Sequence, residues 1–233
     1  VSRSWSVVDF ILIWLAGQLG AAAAVVIGSA LNVESTFLST LVGQYVGIIG
    51  VLWILSRSKE DPELGFSIQG GDFGYIGLGL VLQLMASLAV LPLANLLFPD
   101  GPPRQNVTQG LLNADTLGLQ VILVFAYVVV GPIAEELMYR GVLLRALRSR
   151  RKWTAIVVSS LVFAAVHLPG LPSNEIWSSV VVFLVPIFGL GVLLAWLTLR
   201  HGRLGPAIFL HSGWNLLAAF VLLLPEDVLE QVG

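Results

Sequence analysis

Along most of the chain the apolar positions do not form a stripe. They cover every face of the helices they would make, and polar residues gather in short connections between them. A bilayer core of roughly 30 Å is crossed by about 20 mostly apolar helical residues. Uncharged runs near that length are Phe10 to Leu31, Phe37 to Leu55, Phe73 to Phe98, Thr116 to Ala134, Ile176 to Leu199 and Leu204 to Pro225. A shorter run, Trp153 to Leu168, stops at the breaker Pro169-Gly170-Leu171-Pro172 and is expected to sit shallow or against other helices. The pattern predicts an all-α membrane protein, a polytopic bundle of about seven transmembrane helices, organised as one integral membrane domain over 1–233. For the first run a signal peptide is the alternative, because Arg3 precedes it and Gly28-Ser29-Ala30 has the character of a cleavage site. The run is longer than the roughly 7 to 15 apolar residues of such a segment.

Composition removes several function classes. With 57% apolar and 11% charged residues and a mean hydropathy of +0.90, the 233-residue chain cannot cover itself with a mixed-charge surface, which excludes an ordinary cytosolic enzyme. A formal charge of −2 offers no basic field to a nucleic acid. Cysteine is absent, so disulfides, thiolate metal sites and cysteine nucleophiles are excluded.

Charge also orients the bundle. With a cytoplasmic amino terminus and seven crossings, the inside connections hold Arg3, Arg57, Lys59, Arg145, Arg148, Arg150, Arg151, Lys152, Arg200 and Arg203, against Arg104 alone outside. That is the positive-inside bias, and it needs the short fifth run to count as a crossing. The carboxyl-terminal segment from Pro225, with Glu226, Asp227 and Glu230, is then outside, and the loop Pro99 to Asp115 is expected to be irregular.

Polar chemistry interrupts the hydrocarbon at three places, where ionisable groups are costly unless paired or wetted. In Gly131-Pro132-Ile133-Ala134-Glu135-Glu136-Leu137-Met138-Tyr139-Arg140, a proline able to kink the helix precedes two acids. Glu136 and Arg140 stand four apart with the acid first, the favourable order for an ion pair on one helix face. Glu135 is turned about 100° away, without a local cation, and is free to accept a proton. The two acids equally suit a helix leaving the bilayer ahead of the basic run. Phe163 and His167 share a face at a spacing of four, a placement that also suits a purely structural histidine. His211 and Asn215, four apart between Leu210 and Leu216, aim two donors the same way, as an oxyanion clamp or a ligand pair would.

Glu135-Glu136-x-x-x-Arg140, Phe163-x-x-x-His167 and His211-x-x-x-Asn215, in this order on successive helices, resemble the CPBP family. That family comprises the CAAX-type prenyl endopeptidases and the Abi proteins of bacteriocin processing and self-immunity. The resemblance covers roughly Thr116 to Leu224 and implies an intramembrane endopeptidase with its active site within the membrane. By carry-over, Glu135 would activate water, His167 would hold that water, and His211 with Asn215 would stabilise the oxyanion. Glu136, Arg140 and Phe163 would support them, and their helices are expected to converge on one cavity opening to the cytoplasmic side. No cofactor is expected. Zinc is the alternative, since the family is widely labelled metalloprotease and Glu135, His167 and His211 could supply three ligands.

Other intramembrane protease signatures do not fit. Ser212-Gly213 lacks the G-x-S-G element, Gly70-Gly71-Asp72 has the wrong spacing for G-x-G-D and is expected in a loop, and no H-E-x-x-H occurs. Two further readings stand beside the protease: a catalytically inactive membrane scaffold or bacteriocin-immunity protein, and a proton-coupled transporter using buried acids as relays. The partners expected are the lipid bilayer and a membrane-associated or lipidated protein or peptide substrate.

Overall fold

The computed structural model describes residues 4–33, 35–60, 63–99, 106–148, 151–171 and 176–224. Among them there is no strand, and seven helices are long and apolar enough to cross a membrane. They are α1 (Val7–Ala30), α2 (Thr36–Ser56), α3 (Gly70–Leu97, opened by a 3-10 turn over Gly70–Phe73), α5 (Leu117–Leu147), α6 (Lys152–Gly170, its last turn 3-10), α7 (Ile176–His201) and α8 (Gly205–Leu222). The short run predicted as a fifth crossing is α6. A short helix, α4 (Asn106–Leu112), occupies the loop expected to be irregular, and Asp72 lies in the turn that begins α3 rather than in a loop. Arg3, Arg104, Arg150, Pro172 and 225–233, the last with Glu226, Asp227 and Glu230, lie outside the described residues.

The helices begin where the chain can satisfy their free amide groups. Ser6 and Asp9 form a reciprocal capping box on α1, and Ser35 and Thr116 accept from Leu38 and Leu119 at the starts of α2 and α5. Gly202, at φ +70°, ends α7 in the left-handed conformation that favours glycine.

Successive spans run in opposite directions, and one edge of the bundle is stitched by polar contacts. Lys59 pairs with Asp9 at 2.7 Å, the Leu204 amide donates to the Gly65 carbonyl at 2.8 Å, and both terminal nitrogens of Arg203 engage the Asp72 carboxylate. That carboxylate raises the pKa of Arg203 still further above its ordinary value. Apart from Arg140, every described Lys and Arg lies at this edge, so the charge asymmetry of the sequence is an asymmetry of the molecule.

Two helix crossings rely on glycine because backbone meets backbone. A Cβ on Gly20 of α1 would stand 2.2 Å from the Gly43 carbonyl oxygen of α2. One on Gly213 of α8 would stand 2.2 Å from the Ile76 carbonyl oxygen of α3. The second crossing seats α8, which carries His211 and Asn215, against α3.

Around Pro132, α5 widens. Ala126–Val130 is π-helical, Gly131–Glu136 is α-helical, and Leu137–Leu143 is π-helical again. A proline ring collides with the carbonyl four residues earlier and offers it no N–H. The π turn that contains residue 128 relieves that collision, and Val180–Leu184 precedes Pro186 of α7 in the same way.

Candidate active site

Glu135 and Glu136 fall on the α-helical turn between the two π segments of α5 and diverge in environment. The Glu136 side chain is fully buried, whereas that of Glu135 is 28% exposed, in the wall of a cavity of about 360 Å³. Phe163, His167, His211 and Asn215 line the same cavity, so three separate helices bring their motifs to one place.

The ion pair expected within α5 is present. Arg140 donates to Glu136 Oε1 at 2.9 Å, and its other terminal nitrogen donates to the Gly191 carbonyl of α7 at 3.2 Å. Its guanidinium lies 4.3 Å over the Phe163 ring of α6. A charge sealed from water is tolerated only with such partners, and those of Arg140 tie α5 to α6 and α7.

Glu136 has a second partner that spacing could not show. The His211 Nδ1–H donates to the same Oε1 at 3.0 Å, across 75 residues of sequence. This bond fixes the imidazole and turns Nε2 toward Glu135, whose Oε2 stands 3.8 Å away. His167 is held in a parallel manner, since its Nδ1–H donates at 2.8 Å to the Phe163 carbonyl, one of the free acceptors at the end of α6. Both rings meet Phe163 edge to face, with centroids 5.1 Å and 5.8 Å away. In the neutral state each imidazole therefore presents an unprotonated Nε2.

Asn215 is not simply a free donor. Its Nδ2 donates to the Tyr127 carbonyl at 3.0 Å. The Gly131 amide bonds to Ala126, and residue 132, which would serve Tyr127 in a π register, is proline. The asparagine supplies the hydrogen bond that the proline cannot, and it keeps one amide hydrogen in reserve.

The cavity runs lengthwise between the helices. Its wall continues from Glu135 through Val90 and Ala94 of α3 to Val182 and Phe183 of α7, toward the helix ends remote from the basic edge. On the basic side Tyr139, Arg140, Leu144 and Leu194 are buried and fill the bundle. Residues that spacing did not single out are Tyr45, Tyr127 and Gly191. A lone tyrosine mid-span and a proline five residues after Tyr127 were the available signals for the first two; Gly191 left none.

Among the described residues no group of three His, Cys, Asp or Glu side chains is close enough to hold a metal ion. The candidate zinc set Glu135, His167 and His211 is not among such groups in this conformation.

Residues 117–217 match the model of the family described as type II CAAX prenyl endopeptidase Rce1-like. No curated protein and no solved structure matches the chain. Seven apolar helices and this family make the protein an integral, multi-pass membrane protein. Over residues 117–217 the chain is similar to the Rce1-like, CPBP family of intramembrane proteases.

Proposed function

We propose that the protein hydrolyses a peptide bond in a membrane-associated or lipidated substrate, using Glu135 to activate water. The observation that carries this reading is the convergence of Glu135, His167, His211 and Asn215 on one cavity. Glu135 takes a proton from a water whose other hydrogen is held by His167 Nε2, and the water oxygen attacks the scissile carbonyl carbon. Asn215 offers its remaining amide N–H to the developing oxyanion. His211 Nε2 joins it after taking the proton from Glu135 across the 3.8 Å gap. The proton finally reaches the departing nitrogen, the C–N bond breaks, and a carboxylic acid, which keeps the second hydrogen of the water, and an amine leave. Glu136 and Arg140 hold His211 and the three surrounding helices in register.

The apolar stretch of the cavity, from Val90 to Phe183, suits a substrate held by a lipid or an apolar segment. The matched family's name favours a prenylated carboxyl-terminal peptide among such substrates. The positive-inside rule assigns the basic edge to the cytoplasmic side.

Glu135→Gln keeps the shape of the side chain but removes the proton acceptor. Detergent-purified protein with an internally quenched, S-farnesylated peptide ending in a CAAX sequence should lose about 10² to 10⁴ in turnover, with its melting temperature unchanged. Cleavage at the wild-type rate in this variant would remove Glu135 from the chemistry. Cleavage should also survive chelation; about one zinc per chain, lost together with activity, would reassign the mechanism to a metal.

A further inference from the structure

From the peptidase reading of the cavity, we infer that the Tyr45 hydroxyl of α2 is a catalytic hydrogen-bond donor to the substrate's carbonyl oxygen. Tyr45 belongs to none of the three motifs and lies outside residues 117–217.

The inference starts from an inventory of protons. At the moment of attack the carbonyl oxygen gains negative charge and needs donors already in place. His167 and His211 both spend Nδ1–H on acceptors within the protein, the Phe163 carbonyl and the Glu136 carboxylate. As neutral rings they show the cavity only lone pairs, which suits holding water and does nothing for an oxyanion. Asn215 has spent one amide hydrogen on Tyr127 and keeps one. The Gln83 amide of α3, outside the motifs, donates one hydrogen to Ser87 and likewise keeps one. The motifs thus supply one donor from side chains that need no prior proton transfer.

Tyr45 supplies another from the opposite wall. Its side chain lines the cavity beside Glu135, His211 and Asn215. Its oxygen is placed by Gly131, since a Cβ there would lie 2.8 Å from the hydroxyl oxygen and 3.7 Å from the ring carbon that bears it. Gly131 and Glu135 are one turn apart on the α-helical stretch of α5, so the hydroxyl sits over the helix face that carries the base. Among the described residues nothing hydrogen-bonds this hydroxyl. A phenol inside a membrane bundle ordinarily finds a partner, and one left open at a reaction cavity is completed by what enters it. Glycine at 131 is what leaves room for the oxygen.

The test uses the full chain and the farnesylated quenched peptide, with Glu135→Gln run alongside. Tyr45→Phe removes one oxygen and should lower kcat about 10²-fold while KM and the melting temperature stay within error, because the lost bond forms only as charge develops. Gly131→Ala should displace the hydroxyl and also lower kcat. In the Tyr45→Phe background the hydroxyl clash is gone and the added methyl keeps only the 3.3 Å approach to the Ala126 carbonyl oxygen, common to both backgrounds, and an ordinary contact with a ring carbon at 3.7 Å, so its cost to kcat should be smaller there than in the wild type. The non-additivity keeps the test decisive if Tyr45→Phe also lowers yield. If Glu135→Gln is inactive but Tyr45→Phe retains kcat within a factor of two, the role of Tyr45 is overturned and the peptidase reading stands. If Glu135→Gln cleaves as wild type does, the peptidase reading falls and takes this role with it. Additive losses in the double variant would also overturn it, since they would place Gly131 and Tyr45 in separate functions.

Discussion

The α1–α2 hairpin and the α5–α8 core are built from similar apolar sequence but held together differently. In the hydrophobic window of α2, 11% of residues are buried within the protein, against 50% in that of α8. The hairpin closes on itself by glycine contact, Gly20 against Gly43, and fully buries few of its side chains. The core instead buries Glu136, Arg140, His211 and Asn215 and binds helix to helix through them. In hydrocarbon, apolar side chains give little reason for two helices to prefer each other over lipid, so specificity comes from close backbone approach or from polar groups that lipid cannot satisfy. The hairpin relies on the first device along its length and on the Lys59–Asp9 pair only at its end, whereas the core uses both throughout.

The largest test of this contrast is Arg140→Ala. It strands Glu136 with one partner instead of two and empties the space over Phe163, and it should destabilise the protein by about 3 to 5 kcal/mol. Thermal unfolding in detergent should show it, together with a poor membrane yield. A variant that melts like wild type would mean that the core is held by packing alone. Asn215→Ala should be next in size, lowering turnover about 10²- to 10³-fold if its free N–H meets the oxyanion, with a smaller stability loss from the orphaned Tyr127 carbonyl. If kcat is retained and only the melting temperature falls, Asn215 is a strut and not a donor. Gly20→Ala should have the smallest effect, about 1 to 3 kcal/mol of stability from overpacking against Gly43, with kcat unchanged below the transition. A fall in kcat there would couple α1 to the site and blur the distinction between the two regions.

The two regions also differ in how far they could be read from sequence. The spans were legible because a run such as Phe37 to Leu55 has the length of a bilayer and no charge. Glu136 with Arg140 was legible because a spacing of four is local geometry. The bond from His211 to Glu136 was not, because it depends on α8 meeting α5 where Gly213 lets α8 close on α3. The layer that the cavity occupies was not legible for a related reason. Counting residues from each helix end gives depth only along that helix and takes no account of which layer large side chains fill. Tyr139 and Arg140 occupy the basic side, so the open space lies on the other. Pro132 announced a disturbance in α5 but not its form, since a kink and a π turn both relieve the same collision.

A cavity of about 360 Å³ can hold on the order of ten water molecules at the depth of the lipid tails. Any such pool threatens the barrier that the membrane exists to provide, because a wet file from face to face would conduct protons and small ions. Here the pool stops at a dry layer: Tyr139, Arg140, Leu144 and Leu194 are each no more than 2% exposed, and the charge of Arg140 is neutralised within the protein by Glu136. The pair that braces the helices is therefore also an electrical seal, and a cell can keep a hydrolytic pocket in its bilayer without draining its own membrane potential.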